Sequence, residues 1–261
     1  MATPGEWYHS LPPVSRTFGT LCFGATVANA LGLVSPMSLI LSWDLIFKKF
    51  QIWRLVTNFI FLGKFSFPFA MFLMYIARYS VQLEKHHYQN RTADFVYLMM
   101  FGAAVLLLVS FLAPFLGLYL LGPPLIFMLI YLWSRANTSA NVSIMGMVSV
   151  QALYLPWAML ALDVIFGNSP VPGLLGILVG HTYYFLTAVY PRLSNGTELL
   201  RTPKFVHDMV RSWGLQPGEY RPVPPAAGRQ GNRPPYAAAP PQPEARPGFR
   251  AFAGTGRRLA D

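Results

Sequence analysis

His181 is an ionisable side chain inside a long apolar segment, which makes it a candidate for a catalytic role. An ionisable residue within a membrane span is often functional, and histidine can act as a general base. Such a base needs a nucleophile within hydrogen-bond reach. Ser143 and Ser149 are expected on the cytosolic side of the helix bundle, away from His181. We therefore interpret His181 as a hydrogen-bonded residue, and we assign no catalytic residue.

Two glycines precede His181 at a spacing that brings helices together. Gly176 and Gly180 are four positions apart, so they lie on one face of a helix, where another backbone can approach closely. The pattern is frequent by chance in apolar helices. It predicts a packing contact whose disruption would disturb function through the structure.

The second candidate site is the pair Trp53 and Arg54, in a polar, aromatic stretch between two apolar segments. An indole is stable at the boundary between membrane and water, and a guanidinium offers five hydrogen-bond donors. We expect Arg54 to bind backbone carbonyls of an irregular loop and to hold that loop as a platform beside membrane helices. The alternative is an ordinary interfacial tryptophan with an arginine nearby.

The composition predicts that such membrane helices exist. Of the 261 residues, 54% are hydrophobic and 11% are charged, whereas soluble domains carry about 25% charged residues. The chain is therefore predicted to be an all-α polytopic membrane protein. Its single cysteine, Cys22, excludes an intramolecular disulfide and fits no zinc-ligand spacing. No metal or cofactor is expected.

Six apolar segments are predicted to span the membrane, although several barely match a hydrocarbon core of ~30 Å. They cover residues 17–34, 65–83, 95–113, the stretch from after Gly117 to Trp133, 148–166 and 171–189. The chain then divides into an interfacial N-terminal arm (1–16), a six-span membrane domain (17–190) and a tail (191–261). Short spans predict either a locally thinned bilayer or helices that are buried by protein.

The tail differs in composition from the membrane domain. Residues 191–261 contain twelve prolines and eleven basic against five acidic side chains, which predicts a disordered, basic tail. An even number of spans places both termini on one side, and the basic tail predicts that this side is the cytosol. Lys48, Lys49 and Arg54 are then lumenal, against the positive-inside rule. That rule is weak for long loops, and hydrogen bonding better explains Arg54.

Five short motifs occur in order along the chain. They are Glu6-Trp7-Tyr8, Gly32-Leu33-Val34-Ser35-Pro36, Phe50-Gln51-Ile52-Trp53-Arg54, Tyr154-Leu155-Pro156-Trp157 and Leu178-Val179-Gly180-His181. Over residues 1–213 this order resembles that of the Derlins, which are rhomboid-like pseudoproteases of the endoplasmic reticulum (ER) membrane. The resemblance implies a six-helix rhomboid-like bundle. It also implies a role in ER-associated degradation, in which misfolded proteins return to the cytosol for ubiquitination and destruction.

The same resemblance bears on proteolysis. Active rhomboids carry a nucleophile in a Gly-x-Ser-Gly setting at the lumenal start of the fourth span, whereas residues 111–133 of this chain contain no serine, threonine or cysteine. A pseudoprotease is therefore implied, and the alternative is an active intramembrane serine protease of the rhomboid superfamily. A transporter would need intramembrane charges and an internal repeat. The spans have few charges and no visible repeat. Asp163 is interpreted as a helix-end acid, and the alternative is that it lines a polar cavity.

The end of the tail carries a further motif, Phe252-Ala-Gly254-Thr-Gly256-Arg257-Arg258-Leu259. It is similar to the SHP box (F-x-G-x-G-x-x-L) by which Derlins recruit the hexameric valosin-containing AAA ATPase. Phe252 and Leu259 would be apolar anchors, and the arginines would contact an acidic rim. A chance pattern in a tail rich in Gly, Arg and Pro is the alternative. The other implied partners are misfolded ER proteins and an ER ubiquitin ligase complex; homo-oligomers are left open, and nucleic acid is not expected.

Overall fold

The computed structural model of the protein describes residues 4–144, 146, 148–194 and 199–214, and the motif predicted at 252–259 lies outside them. Helices make up most of the described chain. They are α1 (Pro4–His9), α2 (Pro13–Ala30), α3 (Pro36–Leu39), α4 (Trp43–Lys49), α5 (Arg54–Ile60), α6 (Phe67–Tyr75), α7 (Thr92–Leu112), α8 (Gly122–Ala136), α9 (Leu155–Ile165), α10 (Pro170–Tyr184), α11 (Tyr190–Leu193) and α12 (Lys204–Ser212). Two of them continue through π-helical turns: α6 reaches residue 87, and α10 runs into α11.

A β-hairpin departs from the predicted all-α fold. Strands β1 (Asn141–Ile144) and β2 (Val148–Gln151) pair antiparallel, with Ser143 opposite Ser149. Polar and β-branched residues alternate along both strands, which is the period of a strand rather than of a helix. The prediction of a helix from residue 148 is therefore wrong, and α9 has only 11 residues.

The central element of the bundle is α8. Thirteen of its 15 residues are buried, as expected for a helix that is apolar on every side. It contacts α5, α6, α7, α9 and α10. Its length of about 22 Å is less than a hydrocarbon core of ~30 Å, but the surrounding helices separate it from lipid. Protein packing thus explains this short span.

Two helices of the described residues are long and apolar enough to cross a membrane by themselves, Thr92–Leu112 and Pro170–Leu193. The other four predicted spans each contain a helix that is shorter or less apolar. These helices are α2, α6 with its continuation to residue 87, α8 and α9. Two of the six predicted spans thus have the length and composition of a membrane helix, and the six-span arrangement stays a prediction.

Part of the predicted tail is packed on the bundle. Residues 204–212 form α12, whose Val206 and Val210 contact Ala93 and Val96 of α7. Next to this contact, Thr202 Oγ1 donates a hydrogen bond to Asp94 Oδ1 at 2.5 Å. The four-residue spacing of the two valines puts both on one helix face. This segment therefore differs from the linker that its composition predicted.

The first turn of α2 is capped by a distant carboxylate. Pro12 and Pro13 begin this helix and provide no side-chain cap. Instead, Glu84 accepts hydrogen bonds from the N–H of Val14 (3.0 Å) and from the N–H of Ser15 (2.7 Å). Glu84 is buried, and its negative charge is favourable at the positive end of a helix. The contact fixes α2 to the end of the helix that begins with α6.

The buried Glu84 carboxyl should make the stability of the fold depend on pH. Desolvation by burial raises its pKa, in spite of the hydrogen bonds from Ser15 and Val14 and the charge of Arg16. The folded state therefore keeps this proton to a higher pH than the unfolded state, and the contribution to the free energy of unfolding is lost as pH rises through the folded pKa. We expect Glu84→Gln to remove this slope.

Thermal unfolding in lipid nanodiscs from about pH 4 to about pH 7 covers the ordinary carboxyl range and measures that slope. As a second variant, Glu84→Ala leaves two buried N–H groups without an acceptor and should cost about 1–3 kcal/mol. If Glu84→Gln keeps the pH slope of the unchanged chain, another group is responsible.

Candidate functional site

The loop between α2 and α6 contains three short helices rather than the expected irregular chain. We call residues 36–60, which contain α3, α4 and α5, the loop platform. Local sequence explains two of these helices: Pro36 occupies the first turn of α3, while Asp44 and the pair Lys48-Lys49 lie at opposite ends of α4. Proline in a first turn and charges that complement the helix dipole favour such short helices.

Arg54 ties the helices of the platform together. It begins α5 and is only 4% exposed. Its Nη1 donates to the carbonyl oxygens of Met37 (2.6 Å) and Ile40 (2.7 Å), at the end of α3. Its Nε donates to Gln51 Oε1 at 2.6 Å. The guanidinium thus makes the carbonyl contacts that we expected from the sequence, and its planar fork reaches acceptors that a lysine could not reach together.

Two neighbours on α5 extend this network, and the sequence analysis missed both. Thr57 Oγ1 donates to the carbonyl of Leu39 at 3.1 Å. Asn58 Nδ2 donates to the backbone carbonyl of Arg54 at 2.5 Å, and the backbone carbonyl of Asn58 accepts from the N–H of Leu121, next to α8, at 3.2 Å. Both are polar residues within an otherwise apolar run, and this pattern could have identified them from the sequence. Through Asn58 the platform is bonded to the central helix.

The platform exposes several large apolar side chains besides its charged residues. Trp53 is 53% exposed although its neighbour Arg54 is buried. The other exposed apolar side chains of the platform are Met37, Phe47, Phe50, Ile52 and Val56. Phe50 also has a φ of +52°, a left-handed conformation that costs a non-glycine residue about 1–2 kcal/mol. Exposed apolar surface and local backbone strain are both typical of contact sites.

A cavity of about 370 Å³ is connected to the platform through one of its wall residues, Tyr119, whose carbonyl accepts a hydrogen bond from the N–H of Leu41 at 2.9 Å. Its walls come from residues 62–68, from residues 117–123 and from the end of α9 with the turn that follows it. The polar wall residues are Lys64, Ser66, Asp163, Asn168 and Ser169. Asp163 Oδ1 accepts a hydrogen bond from Asn168 Nδ2 at 2.6 Å. Asp163 is therefore a helix-end acid, as expected, and also part of a polar cavity wall.

His181 lies on the exposed face of α10 and pairs with a phenol. Its Nδ1 is 2.7 Å from the hydroxyl of Tyr131 on α8. Arg135 Nε donates to the same hydroxyl at 3.0 Å, and its guanidinium lies 5.4 Å from the ring centres of Tyr131 and Tyr184. Neither Tyr131 nor Arg135 was expected at this site from the sequence, although their i, i+4 spacing places them on one face of a helix. The carbonyl of Ser143, on the hairpin, accepts from Arg78 at 3.3 Å.

Gly176 and Gly180 form the contact between α10 and α8. A Cβ at Gly176 would overlap the backbone carbonyl oxygen of Pro124 and lie 2.7 Å from Phe127 Cβ. A Cβ at Gly180 would lie 3.0 Å from Tyr131 Cδ1. Gly173, which was not expected from the sequence, faces mainly α9, since its Cβ would lie 2.5 Å from the end of the Leu160 side chain. Of the three, only Gly176 would place a Cβ over a backbone oxygen.

Comparison with known proteins agrees with the resemblance that the motifs suggested. Residues 11–204 match the Der1-like family. The chain is 52% identical to Derlin-1 of Oryza sativa subsp. japonica over 232 residues, which are 89% of this chain and 95% of the rice protein. It is 54% identical to Derlin-1 of Arabidopsis thaliana over 215 residues (82% and 80%) and 38% identical to Derlin-2.2 of Arabidopsis thaliana over 209 residues (77% and 85%). The matched range includes the platform, the cavity and the glycines of α10.

Proposed function

The chain belongs to the Der1-like family of membrane proteins, and on this premise we propose that it is a catalytically inactive, rhomboid-like component of ER-associated degradation. It promotes retrotranslocation of misfolded proteins from the ER to the cytosol, and its tail recruits the valosin-containing AAA ATPase. The observation that carries this proposal is the buried Arg54, which holds a platform of exposed apolar side chains next to a cavity with both apolar and polar wall residues.

The platform and the cavity would receive the client chain. Trp53 and its exposed apolar neighbours offer contact to unfolded segments, while Lys64, Asp163 and Asn168 offer polar partners in the cavity wall. The bilayer beside this site is expected to be thin, because α9, which exposes Trp157, Val164 and Ile165, measures only about 16 Å. A thinner bilayer lowers the cost of moving an unpaired peptide group through hydrocarbon.

A role without proteolysis is supported by the surroundings of His181. Its Nδ1 is engaged with the Tyr131 hydroxyl, which is not the serine that rhomboid proteolysis uses. The sequence also has no serine, threonine or cysteine between residues 111 and 133. Cleavage of a transmembrane client that His181→Ala abolishes would instead support an active protease.

Rescue of degradation tests the proposed function. In cells without their own Derlins, the chain should restore turnover of a misfolded, glycosylated lumenal client. When the proteasome is inhibited, deglycosylated client should then accumulate in the cytosol. A chain that reaches the ER membrane but does not restore turnover would contradict the proposal.

Recruitment of the ATPase is expected to depend on Phe252. A buried aromatic anchor commonly contributes 2 kcal/mol or more, so Phe252→Ala should reduce capture of the purified ATPase at least about tenfold. Phe249→Ala, three residues earlier and outside the box, is the matched control and should bind like the unchanged chain. Equal capture by both variants would remove the box from the mechanism.

A further inference from the structure

Helix α12 has two apolar faces, and the bundle covers one of them. Val206 and Val210 are fully buried in the contact with α7. Phe205, Met209 and Trp213 recur every four residues and therefore form a second line along the helix, beside the valines. Met209 is partly buried, whereas Phe205 and Trp213 are 59% and 54% exposed. Packing within the described part of the chain thus leaves both aromatic rings largely uncovered.

The exposed side of α12 also carries basic residues. Lys204 and Arg211 are seven positions apart, which is two turns of a helix, so they lie on the same side. Both are exposed, and neither forms an ion pair with a residue that the structure describes. Asp208 is exposed between them, and Arg201 is exposed just before the helix. The surface around the two aromatic rings is therefore net basic.

The position of α12 is fixed at one end of a helix that is long enough to cross a membrane. Helix α7 has 21 residues, or about 31 Å, which matches a hydrocarbon core of ~30 Å. The valines of α12 contact Ala93 and Val96, within the first five residues of α7. At the same end, Arg91 and Asp94 form an ion pair at 2.6 Å, and the Arg91 side chain is 50% exposed. Charged pairs of this kind are typical of the polar edge of a span, so α12 adjoins the membrane surface.

We propose that α12 is a lipid-binding helix, and that its partner is the anionic phospholipid surface of the membrane that α7 crosses. Phe205 and Trp213 enter the boundary between headgroups and acyl chains, where aromatic side chains are stable. Lys204 and Arg211 donate hydrogen bonds to lipid phosphate groups, while their aliphatic stems lie on apolar surface. Rings and cations lie on neighbouring sides of one nine-residue helix, which is the arrangement of an interfacial helix.

Lipid fits this surface better than a protein partner does. The membrane lies next to α12 in every copy of the chain, because the valines and the hydrogen bond from Thr202 to Asp94 hold α12 at the end of α7. A second copy related by a two-fold axis would bring Lys204 and Arg211 towards the same two residues of its partner. Those like charges repel, whereas anionic lipid supplies the opposite charge.

Hydrogen exchange of α12 tests the inference with the full chain in lipid nanodiscs. One set of discs contains phosphatidylcholine alone, and the other contains phosphatidylserine in addition. A basic side chain near an anionic surface strengthens binding about fivefold, and Asp208 offsets part of this gain. The amides of residues 204–212 should therefore exchange about five- to twentyfold more slowly in the anionic discs. Lys204→Gln combined with Arg211→Gln should remove this difference.

Two controls separate attraction to lipid from a change in the fold. Asp208→Asn is the matched variant on the same exposed side, and it should enlarge the difference because the lost carboxylate repels anionic lipid. Raising the ionic strength from about 0.1 M to about 1 M shortens the screening length from about 10 Å to about 3 Å and should reduce the difference. Equal exchange in both kinds of disc, or a difference that the double variant keeps, would overturn the inference.

Photo-crosslinking identifies what covers the aromatic face. A photoreactive phenylalanine in place of Phe205 keeps an aromatic ring on α12, and irradiation in ER-derived membranes should yield mainly an adduct with phospholipid. An adduct mainly with another protein or with a second copy, or no lipid adduct, would overturn the inference. Client turnover is a separate measurement, so the proposed function stands if α12 fails to bind lipid while turnover is restored.

Discussion

Replacing Arg54 by alanine should release the loop platform from the bundle and stop client turnover. The substitution removes three hydrogen bonds, to the carbonyls of Met37 and Ile40 and to the side chain of Gln51. Hydrogen bonds from a charged donor contribute about 1.5–3 kcal/mol, and acceptors left buried add a penalty. We expect the local stability of the platform to fall by about 3–4 kcal/mol, which shifts the equilibrium between the ordered and the released platform by more than about 100-fold.

Hydrogen exchange over residues 36–60 in nanodiscs measures the order of the platform, and client half-life in Derlin-deficient cells measures function. Lys48→Ala is the matched control in the same loop. Its ion pair with Asp44 (3.0 Å) joins side chains that are 76% and 81% exposed, and such pairs contribute little. Undiminished protection of the platform in Arg54→Ala would show that Arg54 does not hold it.

Trp53→Ala separates the surface of the platform from its scaffold. Trp53 is 53% exposed, and its loss removes no hydrogen bond to α3. Exchange protection should therefore remain, while client turnover should fall. A normal turnover rate would mean that the exposed indole takes no part in the proposed function.

Alanine at Gly176 is expected to be the most destabilising glycine substitution in the membrane domain. The added Cβ meets the backbone carbonyl of Pro124, which can move only if α8 and α10 separate. Since α8 is the central helix, that separation would disturb the whole core. Overpacking of this kind typically costs about 1–3 kcal/mol, and backbone contact places this case at the upper end. Gly180→Ala meets atoms at 3.0–3.2 Å and should cost less.

Thermal unfolding in nanodiscs ranks these variants directly. Gly24→Ala on α2 is the matched control, because a Cβ there has no neighbour within 4 Å and alanine has the higher helix propensity. The expected order of destabilisation is Gly176, then Gly180, then Gly24, and client turnover should follow it. If Gly176→Ala unfolds at the same temperature as Gly24→Ala, the two helices do not pack as closely as described.

Composition and local spacing explain which features could be predicted. A hydrophobic content of 54% with few charges identifies the membrane class. Gly176 and Gly180 are four positions apart and therefore lie on one face of any helix that contains them. The structure shows that this face packs against α8. The hairpin at residues 141–151 was missed because a short apolar run does not by itself separate strand from helix. Likewise, the many prolines and charged residues of the tail gave no indication that Val206 and Val210 form an apolar face on α12.

The sequence by itself determined the family, the positions of the two long apolar helices and the residues of the Trp53-Arg54 motif, because these depend on composition and on neighbours within a few positions. Only the tertiary structure decided which distant groups meet. Glu84 caps a helix that begins about 70 positions earlier, and Tyr131 reaches His181 across 50 positions. The polar cavity likewise joins three separate segments of the chain. Such contacts depend on how the helices pack around α8. A polar group that becomes buried by this packing must form its hydrogen bonds with the groups packed next to it.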